Sequence, residues 1–419
     1  PSIINSTIRN NDNGVSGTDN SGPTIKGNTF TGNIRPIYVY GRGINNTISG
    51  NTYSGNTKNY IEVAGDYIED NGTITWSRDN APYVVTSDIY IQRNYHLSQS
   101  SILEIETGTV VKGMAGVDIY VGHENNSYYK GALRATGVTF SSLDATGWDG
   151  IHFRDKSVDP DCVLDSCIIE NATTGISVIS AYPSIINSTI RNNINGVNAD
   201  ANSGPVITGN TFESNLFPLK IFSRHIDGNL HSNTYINNIA SDGSSSDYIY
   251  VYGDENYRLH ENKTYDWLKD GASYRIVNTP YVWEDNDNGQ VAILKIYPQT
   301  TLVFEDNQAL SIGNYSSGDA GALQADSVTF MALDSASHDW EFIRFYNYTR
   351  DDLSYIRNSV IEHARHGIIL EYAAPEISNN TIRWNNEAIT CISAYPSIIN
   401  NTIRNNINGV NADANSGPV

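Results

Sequence analysis

The stretch Pro1-Ser-Ile-Ile-Asn-Ser-Thr-Ile-Arg-Asn-Asn11 returns unchanged at 183–193 and, with one Ser-to-Asn change, at 396–406. The second and third copies stay identical through Asn-Gly-Val-Asn-Ala-Asp-Ala-Asn-Ser-Gly-Pro and end at Val206 and Val419. Long-range repetition of this kind constrains the fold more than any local propensity does, because each copy must bury its apolar residues against its neighbours. Other landmarks recur between the copies. Gly131-Ala-Leu-Arg-Ala-Thr-Gly-Val-Thr-Phe140 matches Gly321-Ala-Leu-Gln-Ala-Asp-Ser-Val-Thr-Phe330, and Ile61-Glu-Val-Ala-Gly-Asp66 matches Ile249-Tyr-Val-Tyr-Gly-Asp254. Three segments follow: the last turns of one repeat at 1–63, a complete repeat at 64–250, and a third at 251–419 that stops short. The chain starts and stops in the same part of the pattern, so it is expected to be an excerpt of a longer array whose segments join end to end.

A shorter period lies inside each segment. Thr, Ser or Cys followed by an apolar residue occurs at Thr7, Thr29 and Thr52, at Cys167, Thr189, Thr211 and Thr234, and at Ser359, Thr381 and Thr402. The step, roughly 22 residues, is the length of one β-solenoid turn. It is too short for ankyrin or tetratricopeptide repeats, and the leucine ladder of leucine-rich repeats is missing. Within a turn, Ile185, Ile190 and Val197 open three short apolar clusters punctuated by Asn187, Asn192, Asn193 and Gly196. Each cluster predicts a short strand, and stacking of turns places Ile168, Ile190, Phe212 and Tyr235 in one core column, at roughly 4.8 Å per turn. Asn and Gly supply left-handed corners, and stacked Asn amides hydrogen-bond along the axis. The fold class expected is all-β, a right-handed parallel β-helix. The third copy stands further from the second than the second does from the first, and an extra turn at 371–392 accounts for most of the difference.

Pro-x-Ile-x-Asn-x-Thr-Ile followed by Asn-x-x-Gly-Val resembles the parallel β-helix repeat shared by pectate-lyase-like folds and many archaeal and bacterial surface proteins. The stretch Ala81-Pro-Tyr-Val-Val-Thr-Ser-Asp88, with Thr279-Pro-Tyr-Val282 as its expected counterpart, is similar to segments that open such helices in large exported proteins. The resemblance implies the fold over nearly the whole chain. It implies no single activity, because β-helices host lyases, hydrolases, adhesins and envelope proteins alike.

Asp and Glu number 46 against 26 Lys and Arg, for a net charge of −20. Nucleic acid is therefore not an expected partner, since phosphate neutralisation needs basic residues. No run of eighteen apolar residues occurs, so no membrane-crossing helix is expected. Three cysteines make no disulfide framework and no zinc spacing. Asn-x-Ser/Thr sequons at Asn5, Asn45, Asn71, Asn125, Asn171, Asn187, Asn262, Asn314, Asn347, Asn379 and Asn400 are glycosylation candidates and fit an extracellular, cell-surface location.

Candidates for chemistry are sparse. A polysaccharide hydrolase would draw on Asp351, Asp352, His366, Arg344 and Arg357, but Gly367 aligns with Gly175, Gly196 and Gly409, so His366-Gly367 is more simply a corner. A lyase would draw on Asp155, Asp159 and Asp161 beside Arg154, which read as a loop. Asp285-Asn-Asp-Asn-Gly289 alternates oxygen ligands, with Asp285 and Asp287 as calcium ligands, but lacks the downstream Glu of an EF-hand. Calcium is the one cofactor considered; otherwise none is expected. Tyr248, Tyr250 and Tyr252 share one strand face and form the expected interaction stripe. The reading favoured is an extracellular structural protein that self-assembles as a filament, sheath or surface layer, without enzymatic activity, and with envelope glycans as further partners. The alternative is a polysaccharide-binding or polysaccharide-cleaving β-helix, or an adhesin.

Overall fold

The computed structural model describes residues 1–18, 22–94, 96, 99–284, 290–315, 320–334 and 340–418. It is a parallel β-helix of strands two to six residues long. In one representative turn Ser184–Ile186, Thr189–Arg191 and Asn195–Ala199 follow one another, with Ile185, Ile190 and Val197 fully buried inside. Strands this short have one or two inward positions each, so a single turn has no core of its own. Pairing in the next rung supplies it: Ile185 lies beside Ile207 and Ile190 beside Phe212, in parallel register.

The corners divide two tasks between adjacent asparagines. Asn192 carries the left-handed backbone, at φ +54, a conformation Asn tolerates better than other side chains. Asn193 turns inward and is buried, where its backbone N–H and its amide both donate to Asn215 Oδ1 at 3.0 Å. Asn215 repeats the pattern toward Asn238, at 2.8 and 3.1 Å, and its amide also donates to Ile190 O at 2.8 Å. Backbone groups left unpaired where the chain leaves a strand are thus satisfied by stacked amides.

Register corrects one expected core position. Ile168 pairs with Thr189 and is half-buried, whereas Ile169 pairs with Ile190, so the column runs Ile169, Ile190, Phe212, Tyr235. Cys167 occupies the inner-corner position of Ser188 and Asn210, with its backbone N–H donating to Ser188 Oγ at 3.0 Å. Its small side chain imitates the Thr of the motif one residue too early. A second correction concerns how the repeats begin. Trp76 packs on Tyr83 at 5.4 Å, and Trp267 packs on Tyr274 at the same distance. In each case the tyrosine hydroxyl donates to a backbone carbonyl just after the tryptophan, Ser77 O or Leu268 O. Tyr274, and not Tyr281, is therefore the counterpart of Tyr83.

The chain forms two compact units, Pro1–Leu219 with Asn233–Ser246, and Lys220–Ser232 with Asp247–Val419. In the first, a ten-strand sheet runs from Asn13–Ser16 to Thr234–Ile236. The repeat does not keep its strands in the same sheets. Asn13–Ser16 and its sequence equivalent Asn195–Ala199 lie in different sheets, and the strand that inherits the sheet of Asn13–Ser16 is Thr189–Arg191. A sheet that takes the third strand of a turn at one end of this unit thus takes the middle strand of a turn at the other. In the second unit sheets run from Thr264–Trp267 to Ser397–Ile399, from Tyr281–Val282 to Asn408–Ala412, and from Tyr248–Tyr252 to Thr402–Arg404. The extra turn is present as Glu376–Ser378, Thr381–Arg383 and Glu387–Ile392, inserted without disturbing register on either side. Among the described residues no helix is long and apolar enough to cross a membrane.

Candidate functional site

Strand alternation in the first unit aims one side chain per rung outward at the same point of a sheet. Tyr67, Tyr90, Tyr120 and His152 occupy that point on four consecutive rungs. Inward neighbours Ile68, Ile89, Ile91, Ile119, Val121, Ile151 and Phe153 are buried and hold the strands rigid. The rings stack as a ladder: 5.0 Å between Tyr67 and Tyr90, 5.0 Å between Tyr90 and Tyr120, and 5.1 Å between Tyr120 and His152. Tyr67, 47% exposed, ends the row.

A line of carboxylates runs beside the rings, since Asp88 and Asp118 each stand two residues before a ladder tyrosine. Asp118 Oδ2 accepts from the Tyr120 hydroxyl at 2.7 Å, and His152 Nε2 lies 2.6 Å from Asp118 Oδ1. Asp88 accepts from the Tyr90 hydroxyl at 3.2 Å and from the Asp118 backbone N–H at 3.1 Å. The Arg154 guanidinium sits 3.6 Å over the Tyr120 ring and 3.4 Å from Glu124. Arg42 pairs with Asp66 at 3.1 Å. Burial opposes ionisation of Asp118, but the adjoining His152, the hydrogen bond from Tyr120 and the charge of Arg154 outweigh it, and the carboxyl lies below the usual carboxylate range. Burial and the adjoining Asp118 push the Tyr120 phenol well above its ordinary value. The ladder therefore brings an ionised carboxylate, a neutral phenol and a guanidinium together on one face.

Nine residues of sequence separate three of these strands from the next strand, at 92–100, 122–130 and 154–162, where only five follow Thr174–Val178. These stretches are tied together: the Arg93 backbone N–H donates to Lys130 O, and that of Lys156 to His123 O, both at 2.9 Å. A cavity of about 470 Å³ opens among them, lined by Ser100, Ser127, Lys130, Asp155, Lys156 and Asp159. The ladder thus runs beside a rim built of these longer stretches.

Sequence reasoning singles out none of the four ladder residues. The solenoid period misses them because the nine-residue stretches lengthen the spacing from Tyr90 to Tyr120 and from Tyr120 to His152 well beyond one ordinary turn. The signal that could have found them is a recurring Asp-Ile-Tyr-aliphatic pattern, at Asp88 to Ile91 and Asp118 to Val121, echoed by Asp66-Tyr67-Ile68.

The residues that the sequence does single out are scattered. Tyr248, Tyr250 and Tyr252 share the outer face of one strand, but Tyr250 is only 3% exposed and Arg275 lies over it at 5.1 Å, so the stripe is not an open one. Arg357 pairs with Glu376, His366 with Glu387 at 3.2 Å, and Arg344 with Glu371, so these members of the hydrolase set serve separate ion pairs. Asp351 is held by the Ala374 backbone N–H at 2.8 Å, and burial raises its pKa. Asp352 pairs with Arg350 at 2.8 Å. Of the lyase set, Asp155 pairs with Lys156, Asp161 with Arg134, and Asp159 accepts from Ser157 at 2.7 Å. Asp285 and Asp287 lie outside the described residues, among which no group of three or more metal-binding side chains occurs. Ten of the eleven sequon asparagines are exposed and Asn314 is half-buried. Five of them, Asn5, Asn171, Asn187, Asn379 and Asn400, also carry left-handed corners, a structural reason for Asn at those positions.

A family model of right-handed β-helix regions matches residues 119–267, which include Tyr120, His152 and Arg154. Compared with curated proteins and with solved structures, the chain gives no match. The handedness expected from the repeat pattern is that of the matched family, and the fold is a right-handed parallel β-helix.

Proposed function

We propose that this chain is a carbohydrate-binding tandem β-helix of the cell exterior, which holds a polysaccharide along the ladder of Tyr67, Tyr90, Tyr120 and His152. The observation that carries this reading is the coincidence, on consecutive rungs of one outward face, of stacked rings with Asp88, Asp118 and Arg154. Rungs about 4.8 Å apart present repeating donors and acceptors at a spacing close to the advance of an extended sugar chain. Tyrosines contribute apolar area together with a polar tip, the combination a sugar's mixed surface requires. Asp88, which is half-buried, keeps a second lone pair on its engaged oxygens for a ligand hydroxyl, while the buried Asp118 acts through the Tyr120 hydroxyl that it fixes. Binding is proposed in preference to cleavage. Asp118 is stabilised as the carboxylate, which leaves it poorly matched to donating a proton near neutral pH. In the second unit the equivalent strand positions hold Tyr281, Ser311 and Arg344, without the two aspartates. The ladder is therefore a local specialisation and not a requirement of the fold.

Affinity electrophoresis through gels containing neutral or charged polysaccharides tests the proposal. Retardation of the wild-type chain that is abolished in Tyr90→Ala/Tyr120→Ala and reduced in Asp118→Asn is the expected result. Equal retardation of all three proteins would remove the ladder from any binding role.

A second reading, self-assembly, draws on exposed apolar residues that belong to the repeat. Tyr182 and Ile194 are about half exposed, and their sequence counterparts are Tyr395 and Ile407. Filaments or sheets of the native protein in electron micrographs would support it, and isolated particles at high concentration would count against it.

A further inference from the structure

The second compact unit carries its own cluster at the address that the ladder holds in the first. Tyr281, Ser311 and Arg344 are in register on consecutive rungs, and the described residues 283–284, 313–315 and 346–354 follow these strands. Arg344 and Glu371 form its centre. Glu371 Oε2 accepts from Arg344 Nε at 3.1 Å, from Arg344 Nη2, and from the Tyr315 hydroxyl at 2.5 Å. Arg344 Nη2 also lies 3.0 Å from the Tyr315 hydroxyl oxygen. Tyr346 meets Tyr315 edge-on, at 4.7 Å and 73°, and supports the guanidinium 4.6 Å from its centroid.

Among the described residues, the hydrogen bonds of the Glu371 carboxylate all fall on Oε2. Among the described residues, Glu371 Oε1 and Arg344 Nη1 have no hydrogen-bond partner, although the two side chains are only 13% and 23% exposed. An acceptor and a donor of one ion pair are thus left for a ligand, held in position by the bonds that Glu371 Oε2 and Arg344 Nε and Nη2 make. Tyr315, 51% exposed, presents its ring next to them, and the edge-on contact with Tyr346 leaves a face of that ring uncovered by stacking.

We infer that Tyr315, Arg344 and Glu371 form a second carbohydrate site, selective for a neutral pyranose. One hydroxyl donates to Glu371 Oε1, another accepts from Arg344 Nη1, and the apolar face of the sugar lies on Tyr315. The ion pair balances its own charge, so neither a uronate nor an amino sugar gains a net attraction. The first unit's ladder, with Asp66, Asp88, Asp118 and Glu124 against Arg42 and Arg154, differs in that respect. The two units thus carry sites of different selectivity, and the second stands independently of the first.

Isothermal titration of the full chain with neutral gluco-, manno- and galacto-oligosaccharides, and with matched uronate oligosaccharides, tests this inference. The expected result is that at least one neutral series binds and weakens roughly tenfold or more in Tyr315→Ala and in Glu371→Gln, the range for losing hydrogen bonds to a charged group. Tyr315→Phe keeps the ring and should retain most of that affinity, which separates loss of the platform from loss of fold. Tyr90→Ala/Tyr120→Ala should leave this binding unchanged. If no neutral oligosaccharide responds to Tyr315→Ala and Glu371→Gln, or if only uronates do, the inference is overturned, whatever the ladder variants do. Loss of binding in the ladder variants alone would uphold the first site and exclude the second.

Discussion

Asn215→Ala isolates what the buried amides contribute. Asn215 is 1% exposed, and its side chain takes part in four hydrogen bonds: two received from Asn193, one given to Ile190 O and one given to Asn238 Oδ1. Alanine removes all four and keeps the backbone N–H bond to Asn238. At a net value of about 1 kcal/mol per bond the loss is about 4 kcal/mol, and stranding the Asn193 N–H adds roughly 1–3 kcal/mol. Solenoid turns are stabilised mainly by their neighbours, so the damage should be local. Hydrogen exchange read by mass spectrometry on peptides spanning 189–238 is the suitable assay, because local opening is what it measures. Protection there should fall by about a thousandfold or more, at roughly 1.4 kcal/mol per factor of ten. Peptides from the first two turns should be unchanged. Asn192→Gly, at the exposed left-handed corner, should leave protection within about tenfold, since glycine accepts that backbone readily. A fall of less than tenfold in Asn215→Ala would mean that water replaces the amides at no cost, and the ladder of amides would no longer explain the corners.

Gly131→Ala should prevent folding or destabilise the chain by more than about 4 kcal/mol, because its Cβ would lie 1.8 Å from Ile91 O; a thermal melt of soluble protein within a few degrees of wild type would contradict this. Burial pushes the Cys162 thiol up to about 12 and the Cys167 thiol up to about 11, so neither should be alkylated by iodoacetamide at pH 8 until the protein is denatured, as intact mass would reveal. The native pKa of Asp118 lies below its unfolded value, so its stabilising contribution is complete above the unfolded pKa and is lost as pH falls through the native one. Asp118→Asn should accordingly flatten the acid limb of a stability-against-pH curve without changing its shape above neutrality. Deleting residues 375–395 removes one turn and joins Ala374 to Pro396, so β-sheet circular dichroism per residue and cooperative unfolding should both survive.

The architecture is legible in the sequence because its cause is repetitive. Ile185, Ile190 and Val197 recur at solenoid spacing, and the Asn pairs that turn the corners are visible as pairs. What the spacing does not separate is the division of labour within a pair, since Asn192 and Asn193 are the same residue type doing different things. The motif puts Ile168 in the core because Cys167 resembles its hydroxyl residue, and only pairing with Thr189 exposes the one-residue slip. The ladder is hidden for the opposite reason. Tyr90 and Tyr120 adjoin through hydrogen-bonded rungs, but nine residues of sequence follow the strand of Tyr90 before the next strand, and the length of that stretch carries no record of what stacks above it. The Glu371–Tyr315 contact joins a strand end to a loop far away in the chain, a pairing that no period predicts.

The exchange of sheets between equivalent strands has a consequence for how such a gene evolves. Residues 1–11 and 183–193 are identical, so unequal exchange between the DNA encoding them would excise the segment between and rejoin the chain inside an intact turn. No strand would be cut and no core column broken. Asn195–Ala199 would nevertheless take the place of Asn13–Ser16, in that strand's sheet and not in its own, and the later strands of the unit would follow it. Copy-number change in this lineage would therefore redirect surfaces without altering any residue on them, and selection could act on direction and composition separately.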